Sequence, residues 1–155
     1  MRLALYQPDI PQNTGTILRM AACLGVNVDL IGPAGFDISD RSFRRAGLDY
    51  LSHVDLTRHE SFETFLDGLR ATAPQPRLVL LTTHAEATHV EFSFRPDDVL
   101  MLGRESAGVP EVVHAIVDAR IGIPLKAGLR SLNIAVAGAI VLGEALRQTS
   151  GFPKE

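Results

Sequence analysis

Lysine is nearly missing from this chain of 155 residues: Lys126 and Lys154 stand against thirteen arginines. Arginine suits bidentate phosphate contacts, although codon bias accounts for such an excess equally well. The net charge of −3 offers no generally basic surface, so bulk composition does not announce a nucleic-acid partner. Cysteine occurs once, as Cys23, which excludes a disulfide within the chain and fits a reducing cytoplasm. Cys23 is expected to be a small packed residue of the first helix. The five histidines are scattered without ligand spacing, so no metal site is expected. No apolar run is long and uncharged enough to span a bilayer, and the N-terminus lacks the apolar core of a signal peptide. Neither a Walker loop nor the dinucleotide fingerprint is present. Ser106 lacks the flanking glycines of a nucleophile elbow.

The length fits one domain, residues 1–155, and 46% apolar residues supply a core. Leu3 to Tyr6 reads as a strand, and Gln7 to Gln12, with two prolines, as a loop. Asn13 is a plausible N-cap for a helix from Thr14 to about Leu24, closed by Gly25. Val26, Val28 and Leu30 alternate as a second strand. Ser39 to Ala46 reads as a short basic helix, and Val54 to Thr57 as a further strand. Phe62, Phe65, Leu66 and Leu69 sit at i, i+3, i+4 and i+7 of an amphipathic helix. Leu78 to Leu81 and Val99 to Leu102 are continuously apolar, as in parallel strands covered on both faces. His84 to Pro96 is polar and irregular. A short helix runs from Pro110 to Ile116, and a closing strand from Ala119 to Ile123. Strands alternating with helices predict an α/β fold, a parallel sheet with helices on both faces.

The chain is organised around its last thirty or so residues. A strand ends at Pro124, a loop carries Lys126, Gly128, Arg130 and Ser131, and a helix from Leu132 to Gln148 is apolar on nearly every face. Such a helix must be buried all round, which in a small domain points to a second subunit. Gly138 and Gly143 weaken a helix by about 1 kcal/mol each, and so imply close approach of another backbone.

Three loops could carry chemistry. The first, Ile10 to Arg19, puts a rigid turn on a helix N-terminus. The N–H groups of Asn13 to Gly15 form an anion seat there, with Arg19 one to two turns further in. A capped helix with a snorkelling arginine explains it as well. The second, Gly103 to Gly108, is either a close approach to a ligand or a plain turn. The third places Ser131 and Asn133 at a helix start, where N-capping is their simplest role.

Taken in order, the motifs are specific. Ile-Pro-x-Asn-Thr-Gly-x-Ile-x-Arg, then Gly-x-Glu-x-x-Gly-Val-Pro, then Ile-Pro…Arg-Ser-Leu-Asn resembles the SPOUT superfamily of α/β-knot RNA methyltransferases. Within it the chain is similar to the minimal, extension-free tRNA 2′-O-methyltransferases of the wobble position. The similarity runs from about Arg2 to Phe152 and includes Arg44 to Tyr50, Thr57 to His59 and Leu81 to Thr83. Ala135 departs from the serine that relatives often carry.

The resemblance implies a C-terminal trefoil knot whose loops hold S-adenosylmethionine at Leu81, Gly103, Ile123, Ser131 and Leu132, with S-adenosylhomocysteine as product. It implies methyl transfer without a metal to the ribose 2′-oxygen of nucleotide 34, C or U, in the anticodon stem-loop of tRNA; relatives act on leucine tRNAs. Arg19 matches the residue proposed to activate that hydroxyl. A guanidinium is a reluctant base, so orienting the hydroxyl and stabilising its forming charge is the expected role. Ser131 and Asn133 would align the reacting groups. Relatives dimerise through the C-terminal helix, and Arg41, Arg44, Arg45 and Arg58 are the expected RNA contacts. A different RNA target, or a non-catalytic RNA- or nucleotide-binding module, is the alternative.

Overall fold

The computed structural model describes residues 1–39, 41–42 and 50–154. Its strands are β1 (Arg2–Tyr6), β2 (Asn27–Ile31), β3 (Leu56–His59), β4 (Leu78–Leu81), β5 (Ala87–Thr88), β6 (Val99–Leu102) and β7 (Ala119–Gly122). Its helices are α1 (Pro11–Leu24), α2 (Phe62–Arg70), α3 (Glu111–Ile116) and α4 (Ile134–Thr149), with a 3-10 turn at Leu51–His53. The basic helix expected over Ser39 to Ala46 lies largely outside the described residues.

The seven strands form one parallel sheet in the order β3-β2-β1-β6-β4-β7-β5. Alternation along β1 assigns the two faces. Leu3 and Leu5 join the cluster that holds Ile17, Leu18 and Ala21 of α1 and Val141, Leu142 and Leu146 of α4. Ala4 and Tyr6 join the other cluster, with Phe62, Phe65, Leu66 and Leu69 of α2 and Val113 of α3. Helices therefore cover both faces, as the apolar strands demand. After β1 the chain moves outward to β2 and β3, then crosses to β4 on the far side of β6. That reversal puts the topological switch point at the carboxyl ends of β1 and β6, the place where open α/β sheets bind ligands.

Several local expectations are corrected. Helix α1 begins at Pro11, with Ile10 as an N-cap that makes no side-chain bond. Proline is favoured there because its missing N–H needs no partner. Asn13 therefore lies inside the first turn and is not the cap. The anion seat at Asn13 to Gly15 is not formed either: Thr14 N–H donates to the Ile10 carbonyl at 3.3 Å, and Thr14 and Gly15 are buried. Cys23 is exposed rather than packed. Strand β3 starts at Leu56, two residues later than expected, and the irregular stretch after His84 contains the short edge strand β5.

Within this chain helix α4 is covered on one side. Ala135, Gly138, Val141, Leu142, Ala145 and Leu146 face the core, whereas Val136 is 51% and Ile140 39% exposed. Gly138 packs against Leu102 of β6: a Cβ there would lie 3.0 Å from Leu102 Cδ1, so that side chain would have to give by a few tenths of an ångström. Around a Cβ at Gly143 there is nothing within 4 Å.

Candidate active site

The register of the sheet brings three loops together. Leu81 stands opposite Leu102 on one side and Ile121 on the other, so the segments leaving β4, β6 and β7 start side by side. The loop after β1 is bonded to the loop after β6. The β6 loop closes on itself: Arg104 and Gly108 exchange N–H to carbonyl bonds, both 2.9 Å. Gly103 must be glycine for that closure, because a Cβ would lie 2.9 Å from the Gly108 backbone. Gly108 sits at φ 62°, the left-handed region where glycine is unstrained.

A polar network stitches the loops. Asp9 N–H donates to Glu105 Oε2 at 3.0 Å, and Glu105 N–H donates back to Asp9 Oδ1 at 3.2 Å. Ser106 hydroxyl donates to Asp9 Oδ2. Asn13 Nδ2 donates to Glu105 Oε1 at 3.4 Å, and Asn133 Nδ2 donates to Asn13 Oδ1 at 2.9 Å. Asn133 Oδ1 accepts from Ala135 N–H at 2.9 Å and Val136 N–H at 3.3 Å, capping α4. The orientation of every amide follows from that cap. With Oδ1 turned to the helix N–H groups, Asn133 has only its NH2 for Asn13, and Asn13 then has only its NH2 for Glu105. Donors thus run in one direction from the α4 N-terminus to the Glu105 carboxyl.

The two carboxyls titrate as a pair. The hydrogen bond with the Glu105 side chain, followed by that of Ser106, brings Asp9 down to about 2. Burial, followed by the Asp9 contact, pushes Glu105 above the usual carboxylate range. Asp9 is therefore the stronger acid of the two. Arg104 stands nearby, its Nε 3.8 Å from Asp9 Oδ2 and its NH1 donating to Gln7 Oε1 at 3.4 Å.

The expected site residues fall into separate groups. Leu81, Gly103 and Ile123 are half-buried at the sheet edge, while Ser131 and Leu132 are exposed on the loop before α4. Arg19, about two turns into α1, is exposed. Its NH2 donates to Tyr50 Oη at 3.4 Å. Among the described residues it makes no hydrogen bond to Ser131 or Asn133. Arg41 and Arg58 are exposed, and Arg58 Nε donates to the Ile38 carbonyl at 3.0 Å. Arg44 and Arg45 lie outside the described residues. Among the described residues no three His, Cys, Asp or Glu side chains gather as a metal site.

Sequence reasoning assigned no role to Asp9, Glu105 or Tyr50, and gave Asn13 the wrong one. Asn13 and Glu105 do stand inside the quoted motifs. Their partnership was not readable, because the bonded residues are 92 and 120 positions apart.

A fold with loops tied over the carboxyl edge of a parallel sheet, and this motif order, define a class. The model of the SpoU rRNA methylase family matches residues 1–143, and the chain belongs to that family. It is 61% identical over 152 residues to a tRNA (cytidine(34)-2′-O)-methyltransferase of Beijerinckia indica subsp. indica, covering 98% of this chain and 94% of the relative. A solved structure described as giving insights into the 2-OH methylation of C/U34 on tRNA superposes with a TM-score of 0.88 at 45% identity, covering 97% of this chain and 96% of the other. The SpoU methyltransferase AviRb from Streptomyces viridochromogenes, solved in complex with AdoMet, gives a TM-score of 0.86 at 28% identity. That match covers 96% of this chain and 60% of AviRb.

Proposed function

We propose that this chain is a tRNA methyltransferase that moves a methyl group from S-adenosylmethionine to the ribose 2′-oxygen of the wobble nucleotide, C or U at position 34. The observation that carries this reading is the 61% identity, over nearly the whole of both chains, to a relative named for that reaction. The stitched loops over the sheet edge supply a site of the right kind.

In this reading main-chain groups at Leu81, Gly103, Ile123, Ser131 and Leu132 hold the cofactor. When bound, it supplies a methyl group on a sulfonium, an electrophile that needs no Lewis acid. The chain's own task is the acceptor. Arg19 donates to the ribose 2′-oxygen, orients it and stabilises the charge that grows there as its proton leaves to solvent. A guanidinium stays charged at neutral pH, so it acts as a donor and not as a base. Ser131 and Asn133 align the reacting groups, and Asn13 holds Asn133 through the amide chain.

The same reading makes residues 1–155 one domain whose C-terminal segment threads a loop as a trefoil knot. Leu129, Leu132, Val136 and Ile140, exposed by 67%, 39%, 51% and 39%, form an apolar stripe for the matching stripe of a second copy. The open space at Gly143 would let the two backbones come close. Arg41, Arg44, Arg45 and Arg58 would meet the anticodon stem-loop, with leucine tRNAs as the substrates, in the cytoplasm. Among the described residues no helix is long and apolar enough to cross a membrane.

The test is incubation with tRNA and S-adenosylmethionine, followed by mapping of ribose methylation. A 2′-O-methyl group at nucleotide 34 is expected. Methylation at a different RNA position would overturn the wobble assignment, and no methylation of any RNA would leave a binding module.

A further inference from the structure

An exposed arginine on a helix samples many rotamers, yet Arg19 has one seat. Its guanidinium carbon lies 4.7 Å from the centroid of the Tyr50 ring, and its NH2 reaches Tyr50 Oη at 3.4 Å. The hydroxyl bond is long and weak, so the ring face supplies most of the hold. Tyr50 is itself anchored. Its carbonyl accepts from His53 N–H at 2.9 Å, the first bond of the Leu51–His53 turn. Val54, just beyond, is buried in the cluster that contains Ile17, Leu18 and Ala21 of α1, and Leu51 packs against the same cluster. The segment 50–54 is thus fixed to the helix that carries Arg19. It presents a half-buried side chain with only two rotatable bonds.

We propose that Tyr50 is a positioning residue for methyl transfer: its ring holds the Arg19 guanidinium aimed at the ribose of the acceptor nucleotide. This rests on the reading of Arg19 as the group that serves the 2′-oxygen. It assigns the task to the aromatic face, with the phenol hydroxyl secondary. Tyr50→Phe keeps the seat and Tyr50→Leu removes it.

The experiment combines kinetics with nuclear magnetic resonance of the full chain. Protons of Arg19 above an aromatic face shift upfield, and that shift should persist in Tyr50→Phe and vanish in Tyr50→Leu. With tRNA and S-adenosylmethionine saturating, Tyr50→Leu should lose about tenfold in kcat, as expected for a misplaced catalytic group. Both KM values should stay within about threefold, and Tyr50→Phe should stay within about threefold of wild-type kcat. A folded Tyr50→Leu with wild-type kcat would overturn the proposal, as would a loss confined to the KM for tRNA. Equal losses in the Phe and Leu variants would overturn it too, by giving the work to the hydroxyl. Should Tyr50→Leu fail to fold, an unshifted Arg19 in the wild-type protein would still refute the seat. Full turnover by Arg19→Ala would instead defeat the reading of Arg19, while the ring shift would report separately on whether Tyr50 holds it.

Discussion

Replacing Asn133 with alanine removes two things at once, and the structure separates them. Oδ1 caps α4 through Ala135 and Val136 N–H, and Nδ2 bonds Asn13 Oδ1 at 2.9 Å. Loss of an asparagine cap costs about 1 kcal/mol. Loss of one amide bond, in a place water partly reaches, costs about another 1 kcal/mol. For a chain of this size a total of about 2 kcal/mol corresponds to a fall of about 4–8 °C in Tm. Asn133→Asp divides the sum. Its carboxylate still caps the helix and gains from the N-terminal dipole, but it can no longer donate to Asn13. It should lose only the bridging share, about 1 kcal/mol. Urea denaturation measures this as a shift in midpoint at constant m. A double-mutant cycle between Asn13→Ala and Asn133→Ala should show a coupling of about 1 kcal/mol. Additive effects in that cycle, or an Asn133→Ala midpoint indistinguishable from wild type, would refute the latch.

Gly103→Val should abolish S-adenosylmethionine binding in calorimetry. The first side-chain atom would lie 2.9 Å from Gly108 backbone, so the loop must open before any ligand arrives. Arg19→Ala should abolish methyl transfer with cofactor affinity nearly intact, and Arg19→Lys should largely fail because a point charge cannot reproduce a planar fork; turnover in either denies Arg19 its role. Val136→Arg, on the exposed stripe of α4, should give folded monomers by sedimentation. Val141→Arg should unfold the chain instead, since Val141 is 1% exposed and an unpaired buried charge costs about 3–5 kcal/mol. Arg44→Glu combined with Arg45→Glu should weaken tRNA binding and flatten its salt dependence, with cofactor binding unchanged; an unaltered salt slope would remove both residues from the RNA surface.

Local pattern was enough for much of the fold. Phe62, Phe65, Leu66 and Leu69 recur at helical spacing, and the structure buries all four in α2. Leu78–Leu81 and Val99–Leu102 are unbroken apolar runs, and they became strands with a helical layer on each side. These readings hold because periodicity and covering are properties of neighbours along the chain. The order of motifs was also enough to identify the family, since the matched residues need only stand in sequence.

Tertiary structure alone decided the rest, because it depends on pairs far apart. The chain reaches β6 only after β4, yet β6 is the strand inserted beside β1, and that placement brings the loops after β1 and β6 together. Asn13 looked like a cap because an asparagine before an apolar helix usually is one. Pro11 started the helix earlier, and the freed amide turned to Asn133, 120 residues away. The composition of helix α4 does not record which side the sheet takes. Packing on the sheet buried Gly138 and Val141, while Val136 and Ile140 face outward from this chain. Arg19 and Tyr50, 31 positions apart, met only because the segment after Tyr50 folds onto α1. A sequence records what each residue can do with its near neighbours; which distant residue it meets is settled by the packing of the whole sheet and its two helical layers.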